Sequence, residues 1–183
     1  MKEMKRVGVI GPTNPSLIES KLGLPEGTFE AAAKRMGAFL ASNSFALLSI
    51  PARSVNLWVL ETYHRERGPD ALAFVPSAPE QSQDSIDEMR RNASMAHRIR
   101  DNLTWGDSPF ELAKACDYLV ALGLSCGTLM EMACTKWFDG PPIYVVSPYI
   151  SQIPVEMLAE IDVRFCESIE ALQQALIRDS RGD

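Results

Sequence analysis

Glu131 lies one helical turn beyond Gly127 and Thr128 in the run Gly123-Leu124-Ser125-Cys126-Gly127-Thr128-Leu129-Met130-Glu131. The run follows the short apolar stretch Tyr118–Leu122, and beyond it apolar residues recur at helical spacing at Leu129, Met132, Ala133 and Trp137. This pattern predicts a strand, a tight turn and a helix. The first turn of a helix leaves backbone N–H groups unpaired and carries the positive end of the helix dipole, so it can hold an anion such as a phosphate. Ser125, Cys126, Gly127 and Thr128 are the candidates to line such a site. A carboxylate one turn further on can act on a bound ligand. It can equally close a T-x-x-E capping box by returning to the Thr128 N–H. Spacing alone leaves both roles open.

Two other chemistries are suggested by the same run. Gly123-Leu124-Ser125-Cys126-Gly127 matches G-x-S-x-G between a strand and a helix, the setting of a serine nucleophile elbow. That mechanism needs a histidine downstream of the serine, and the only two, His64 and His97, lie upstream. A thiol at a helix N-terminus, as at Cys126, can be nucleophilic, but no partner base is recognisable by spacing. Cys116, Cys126, Cys134 and Cys166 form no C-x-x-C pair, so neither a metal nor a redox dithiol is expected.

The elements that must position these residues follow from periodicity. Strand patterns fall at Arg6–Ile10, Phe45–Ile50, Ala71–Val75, Tyr118–Leu122, Pro142–Val146 and Val163–Cys166, with helical patterns between them. A Pro- and Gly-rich loop is expected from Gly11 to Gly27. Helices are expected to bury Phe29, Ala32, Ala33, Met36 and Leu40, then, after a Ser54 cap, Val55, Trp58, Val59 and Thr62. Ser85-Ile86-Asp87-Glu88 reads as a capping box opening a helix that ends at Arg98 and Arg100. Pro109–Ala115 reads as a short helix and Ser168–Ile177 as a closing one, with residues 1–5 and 178–183 frayed. Alternating strands and helices over 183 residues predict one α/β domain, a doubly wound, Rossmann-like and mostly parallel sheet with helices on both faces. Such sheets bind ligands where strand order reverses. The loop after the first strand, Gly11, Pro12, Thr13 and Asn14, is therefore the second candidate wall of the site.

Composition limits the partners. Eighteen basic and twenty-four acidic residues give a net charge of −6, which argues against nucleic acid, and no apolar stretch approaches membrane-spanning length. Unpaired thiols and the lack of a leader pattern fit a cytoplasmic protein.

The strand, glycine turn and G-T-x-x-E opening a helix resemble the nucleotide-binding superfamily that includes the LOG phosphoribohydrolases and the molybdenum cofactor carrier proteins. The family pattern P-G-G-x-G-T-x-x-E falls on Gly123 to Glu131, with Leu124-Ser125 in place of its diglycine. Val7–Gly11, Asp117 at the start of the central strand, Pro142–Val146 and Ser168–Ile177 are similar to corresponding family elements. Ile50-Pro51-Ala52-Arg53 stands where a second glycine-rich turn is expected. Hydrolytic members carry an Arg about eighteen residues before the G-T pair, a position held here by Pro109. The resemblance implies a homodimer that binds a nucleotide-like or other phosphate-bearing small molecule, without a further cofactor. For a hydrolase it implies a nucleoside 5′-monophosphate, its phosphate on the Gly127 and Thr128 N–H groups and its ribose held by an ionised Glu131. Because the Arg is missing, binding without turnover is the expected function. A phosphoribohydrolase is the enzymatic alternative, and an interaction protein with a vestigial site the other.

Overall fold

The computed structural model describes residues 4–77 and 83–182. Seven strands form one parallel sheet: β1 (Arg6–Ile10), β2 (Ala46–Ser49), β3 (Ala71–Pro76), β4 (Arg98–Leu103), β5 (Tyr118–Ala121), β6 (Ile143–Val146) and β7 (Val163–Cys166). Their order across the sheet is β4-β3-β2-β1-β5-β6-β7. The chain winds outward from β1 in one direction and resumes at β5 in the other, so the reversal lies between β1 and β5. The fold is the doubly wound, single-domain α/β architecture expected from the alternation of patterns.

Period-two side chains divide the core in two. Val7 and Val9, Tyr118 and Val120, and Tyr144 and Val146 face one side of the sheet, while Ile10, Leu119 and Ala121, and Ile143 and Val145 face the other. Because both faces are covered, the central strands read as continuous apolar runs. The first face is packed by α2 (Thr28–Ser42), α3 (Val55–Arg65) and α8 (Ile169–Arg181) through Phe29, Met36, Val59, Tyr63 and Leu172. The second is packed by α4 (Gln83–Ala93), α5 (Asp107–Ala115) and α6 (Cys126–Ala133) through Ile86, Met89, Leu112 and Met132. Two short helices, α1 (Pro15–Leu22) and α7 (Val155–Leu158), and 3₁₀ turns at Cys134–Phe138 and Ser147–Tyr149 complete the elements of the described residues. Among the described residues no helix is long and apolar enough to cross a membrane.

Several sequence expectations are corrected. The 11–27 loop contains α1, which has Pro15 in its first turn and Gly23 closing it in the left-handed region. Its Glu19 is buried and accepts from the Gly27 and Phe29 amides, so α2 is capped by a neighbouring helix. Arg98 and Arg100 do not end a helix. That helix stops at Ala93, and both arginines lie on the edge strand β4, paired with Asp70 and Glu111. Such a strand needs no apolar face, because it has one neighbour and its outer side is wet. Ser85 lies inside α4 and so does not cap it. α5 begins earlier than expected, with Thr104 and Asp107 exchanging side-chain-to-backbone hydrogen bonds at 3.0 and 3.3 Å. Residues 178–181 belong to α8, and the Lys5 carbonyl accepts from the Ala46 N–H. Residues 1–3 and 183 of the expected frayed ends lie outside the described residues.

Candidate functional site

A cleft of about 320 Å³ opens beyond the C-terminal ends of β1 and β5, at the point of strand-order reversal. Gly11 and Thr13 come to it from the β1 loop, and Ser125, Cys126, Gly127, Thr128 and Glu131 from the β5 turn and α6. Ile50, Ala52 and Asn56 enter from the β2 side, Trp105, Ser108 and Pro109 from the β4–α5 connection, and Met130 from α6. Two expected residues stand aside. Asn14 lines an adjoining hollow with Arg53 and Glu88, and Pro12 packs beneath the β5 turn, 3.2 Å from where a Gly123 Cβ would sit.

Three glycines at this end of the sheet differ in their reasons for being glycine. A Cβ on Gly11 would stand 2.4 Å from Val55, and one on Gly123 would stand 2.5 Å from the buried Phe29 ring at a backbone φ of +89°. Both are demanded by packing. Gly127 has only Ser125 Oγ within reach, at 3.8 Å, and an ordinary helical backbone, so the fold does not require glycine there. A side chain at 127 would instead intrude on the cleft that this residue lines.

Ser125, in extended backbone, is the N-cap of α6 and accepts from the Thr128 N–H at 3.2 Å, with the Thr128 hydroxyl 2.9 Å away. Three expectations change as a result. Ser125 is a helix cap rather than a strained nucleophile, and neither His64 nor His97 lines the cleft. Thr128 is neither the cap nor a free donor, since its amide is occupied and the residue is buried. The Cys126 and Gly127 amides, exposed in the first turn at the positive end of α6, have no partner among the described residues.

Glu131 does not close a capping box. Its carboxylate makes no hydrogen bond or ion pair with any described residue, and it sits partly buried in the cleft wall. Desolvation alone pushes its pKa up to about 8, which near neutral pH favours the neutral acid over the ionised carboxylate. No Arg, Lys or His is among the described residues lining the cleft, and Pro109 forms part of its wall where a hydrolytic site would carry Arg. Arg90 and Arg91 lie on α4, and Arg98 and Arg100 are held in ion pairs on β4.

Sequence reasoning missed Asn56, Trp105 and Ser108. Trp105 and Ser108 follow β4, whose charged sequence hid it as a strand and so hid the loop after it. The turn after β2 lacks glycine, yet Ser54 adopts φ +64° there, and its Oγ donates to the Thr13 carbonyl at 3.0 Å instead of capping α3. It joins two walls of the cleft in a conformation that favours glycine. Among the described residues no cluster of His, Cys, Asp or Glu could hold a metal ion.

No family model matches this chain, and no curated protein sequence matches it. Solved structures do. The molybdenum cofactor carrier protein of Chlamydomonas reinhardtii superposes with a TM-score of 0.70 at 15% identity, covering 99% of each chain. The molybdenum cofactor binding protein of the phototrophic bacterium Rippkaea orientalis gives 0.68 at 14% identity over 98% of each. A structural-genomics protein, TM1055, gives 0.70 at 17% identity over 96% of this chain and 99% of its own. The chain therefore shares the doubly wound α/β fold of these proteins, and two of them carry the name of molybdenum cofactor carriers or binders, a group that its G-T-x-x-E motif resembles.

Proposed function

We propose that this protein binds a phosphate-bearing small molecule of nucleotide type in the cleft between the β1 and β5 loops, without turning it over. One observation carries the reading: the unpartnered Cys126 and Gly127 amides at the start of α6 border a cleft at the strand-order reversal. Together they offer two donors and a helix dipole to a phosphate. Gly127, not required by the fold, keeps the approach open. A protonated Glu131 can donate to a phosphate or ring oxygen and adds no charge that would repel an anion. The similar folds of proteins whose names state molybdenum cofactor binding support a ligand of this kind.

The absence of a cation from the described lining supports binding over hydrolysis, because a departing phosphoribosyl group has no fixed positive partner. The protein acts in the cytoplasm, where its four free thiols stay reduced, and as a homodimer, for which exposed Trp137 offers apolar surface. Thermal unfolding against inorganic phosphate, nucleoside monophosphates and pterin phosphates tests the reading. A ligand at a hundred times its dissociation constant stabilises by about 2.7 kcal/mol. No shift with any of them would favour an interaction protein with a vestigial cleft. Chromatography of the same mixtures is expected to find no free base; release that is lost in Glu131→Ala would establish the hydrolase instead.

A further inference from the structure

Among the described residues four outside glycine have a left-handed φ: Ser44, Ser54, Arg67 and Asp139. Three of them close helices. After Ser44, Arg67 and Asp139 the next amide returns to a carbonyl five residues back, Phe45 to Leu40, Gly68 to Tyr63 and Gly140 to Thr135, the bond that ends a helix with a left-handed residue. Ser54 stands before a helix and closes nothing. At φ +64° and ψ −124° it has the backbone of the first central residue of a type II′ turn, a place that glycine fills without strain. A serine before a helix ordinarily caps it, yet this side chain makes no cap bond to α3. Its Oγ donates instead to the Thr13 carbonyl at 3.0 Å.

A strained residue persists where its surroundings over-determine it. The turn from Ile50 to Ser54 is held from three sides. Asn56 of α3 donates from Nδ2 to the Ile50 carbonyl at 3.0 Å, Asn92 of α4 donates to the Pro51 carbonyl at 2.9 Å, and Arg53 pairs with Glu88 of α4 at 2.9 Å. The Ser54 hydroxyl ties the third side, the loop after β1. Ile50 and Ala52 line the cleft from this turn and Thr13 lines it from that loop, so the bond sets how far apart two walls stand. A loose loop must be ordered when a ligand binds, and a tie made beforehand removes that cost. Building on the proposed phosphate-ester site, we propose that Ser54 is a positioning residue: its unfavourable backbone is kept so that its hydroxyl ties the β1 loop to the β2–α3 turn and presets the cleft for its ligand. Stability is given up here for a binding shape.

The test compares the full chain with Ser54→Ala, which loses the hydroxyl and keeps the strained backbone, and with Ser54→Gly, which loses both. Urea unfolding without ligand is expected to give Ser54→Gly a higher midpoint than Ser54→Ala, since glycine adopts this φ without penalty. In calorimetric titration both variants should bind AMP about three- to tenfold more weakly than the wild type, the range for one lost hydrogen bond. Ser54→Gly should bind no more tightly than Ser54→Ala, despite its higher midpoint. Inorganic phosphate, held by the α6 turn alone, should bind all three proteins alike. Amide relaxation without ligand should show lower order parameters at Thr13 and Asn14 in both variants, with β1 unchanged. A merely structural serine would make affinity follow stability, so tighter binding by Ser54→Gly than by Ser54→Ala overturns the proposal. A midpoint of Ser54→Gly below that of Ser54→Ala also overturns it, as do unchanged order parameters at Thr13, a reading that needs no ligand. If the wild type binds AMP and both variants bind it equally well, only the role of Ser54 falls. If the wild type binds neither AMP nor phosphate, the reading of the cleft falls and takes the purpose of the tie with it.

Discussion

At its N-terminal end the β1–β5 pair is closed by Asp117, whose carboxylate accepts from the Arg6 backbone N–H at 2.8 Å and from its guanidinium at 3.1 Å. At the other end the same strands part around Glu131, a carboxylate with no partner among the described residues. Partial burial raises the Asp117 pKa, but the Arg6 bonds outweigh it and hold the carboxyl below its usual value, while Glu131, with desolvation unopposed, is pushed up to about 8. The glycines repeat the contrast: Gly8 lies so close to Cys116 that a Cβ would stand 2.4 Å from its sulfur, whereas Gly127 opens onto the cleft. Where the fold needs the pair to hold, Arg6 and Asp117 satisfy one another. Donors and an acid remain unspent where the strands diverge, and a surplus of unmet polar groups at the reversal point is the physical mark of a ligand site.

The strongest way to break this contrast is at the glycines. Gly123→Ala places a side chain at positive φ and against Phe29, which cannot yield because it is fully buried. A loss of about 3 kcal/mol is expected in chemical denaturation. Gly127→Ala is expected to leave stability unchanged or raise it by up to about 1 kcal/mol, as in other helices, while weakening phosphate-ester binding. Comparable destabilisation by the two would show that the turn is structural throughout.

Glu131→Gln probes the unpaired carboxylate. A carboxyl whose folded pKa is raised from 4.5 to about 8 favours the folded state while protonated and loses that advantage as pH rises between those values. The variant should match the wild type near pH 4.5 and become the more stable by about 2 kcal/mol by pH 8, an order of magnitude for a partly buried group. Urea titrations at a series of pH values read this directly, and a constant difference across pH would contradict a desolvated acid. An anion at α6 favours the protonated form, so wild-type affinity for AMP should fall as pH passes about 8, and Glu131→Gln should lack that fall.

Asp117→Asn gives a smaller loss than Gly123→Ala and the opposite dependence on pH from Glu131→Gln. The lowered carboxyl contributes stability above its ordinary value of 3.8 that is lost as pH falls through its folded pKa. The substitution should cost about 1.5 kcal/mol at pH 7, the range for a charge-assisted hydrogen bond, and progressively less in acid. A cost that grows toward low pH would remove the ion pair from the account.

The central strands and both principal loops were legible because buried parallel strands write continuous apolar runs ended by Gly11 and Gly123. β4 was hidden because an edge strand with Arg98, Arg100 and Asp101 has no apolar face to announce it, and the wall made by Trp105 and Ser108 was lost with it. Helix α1 carried its Pro15 and Gly23 signals but too short a period to outweigh a loop. At the turn, T-x-x-E suggested a cap that Ser125 supplies instead, three residues earlier, because its Oγ already holds the Thr128 amide. Trp137, the last residue of the helical spacing read after the turn, is 71% exposed, since α6 gives way to a 3₁₀ turn at Cys134 and the periodicity breaks there. Asn56 gives no sign in sequence, because its place in the cleft wall becomes visible only when its surroundings are known.

Backbone amide resonances during titration with AMP test the central claim most directly. The account predicts saturable shifts largest at the Cys126 and Gly127 amides, extending to Thr13 and Asn56 across the cleft and reproduced at the two amides by inorganic phosphate. Shifts confined to another surface, or none at the α6 turn under saturating ligand, would contradict it.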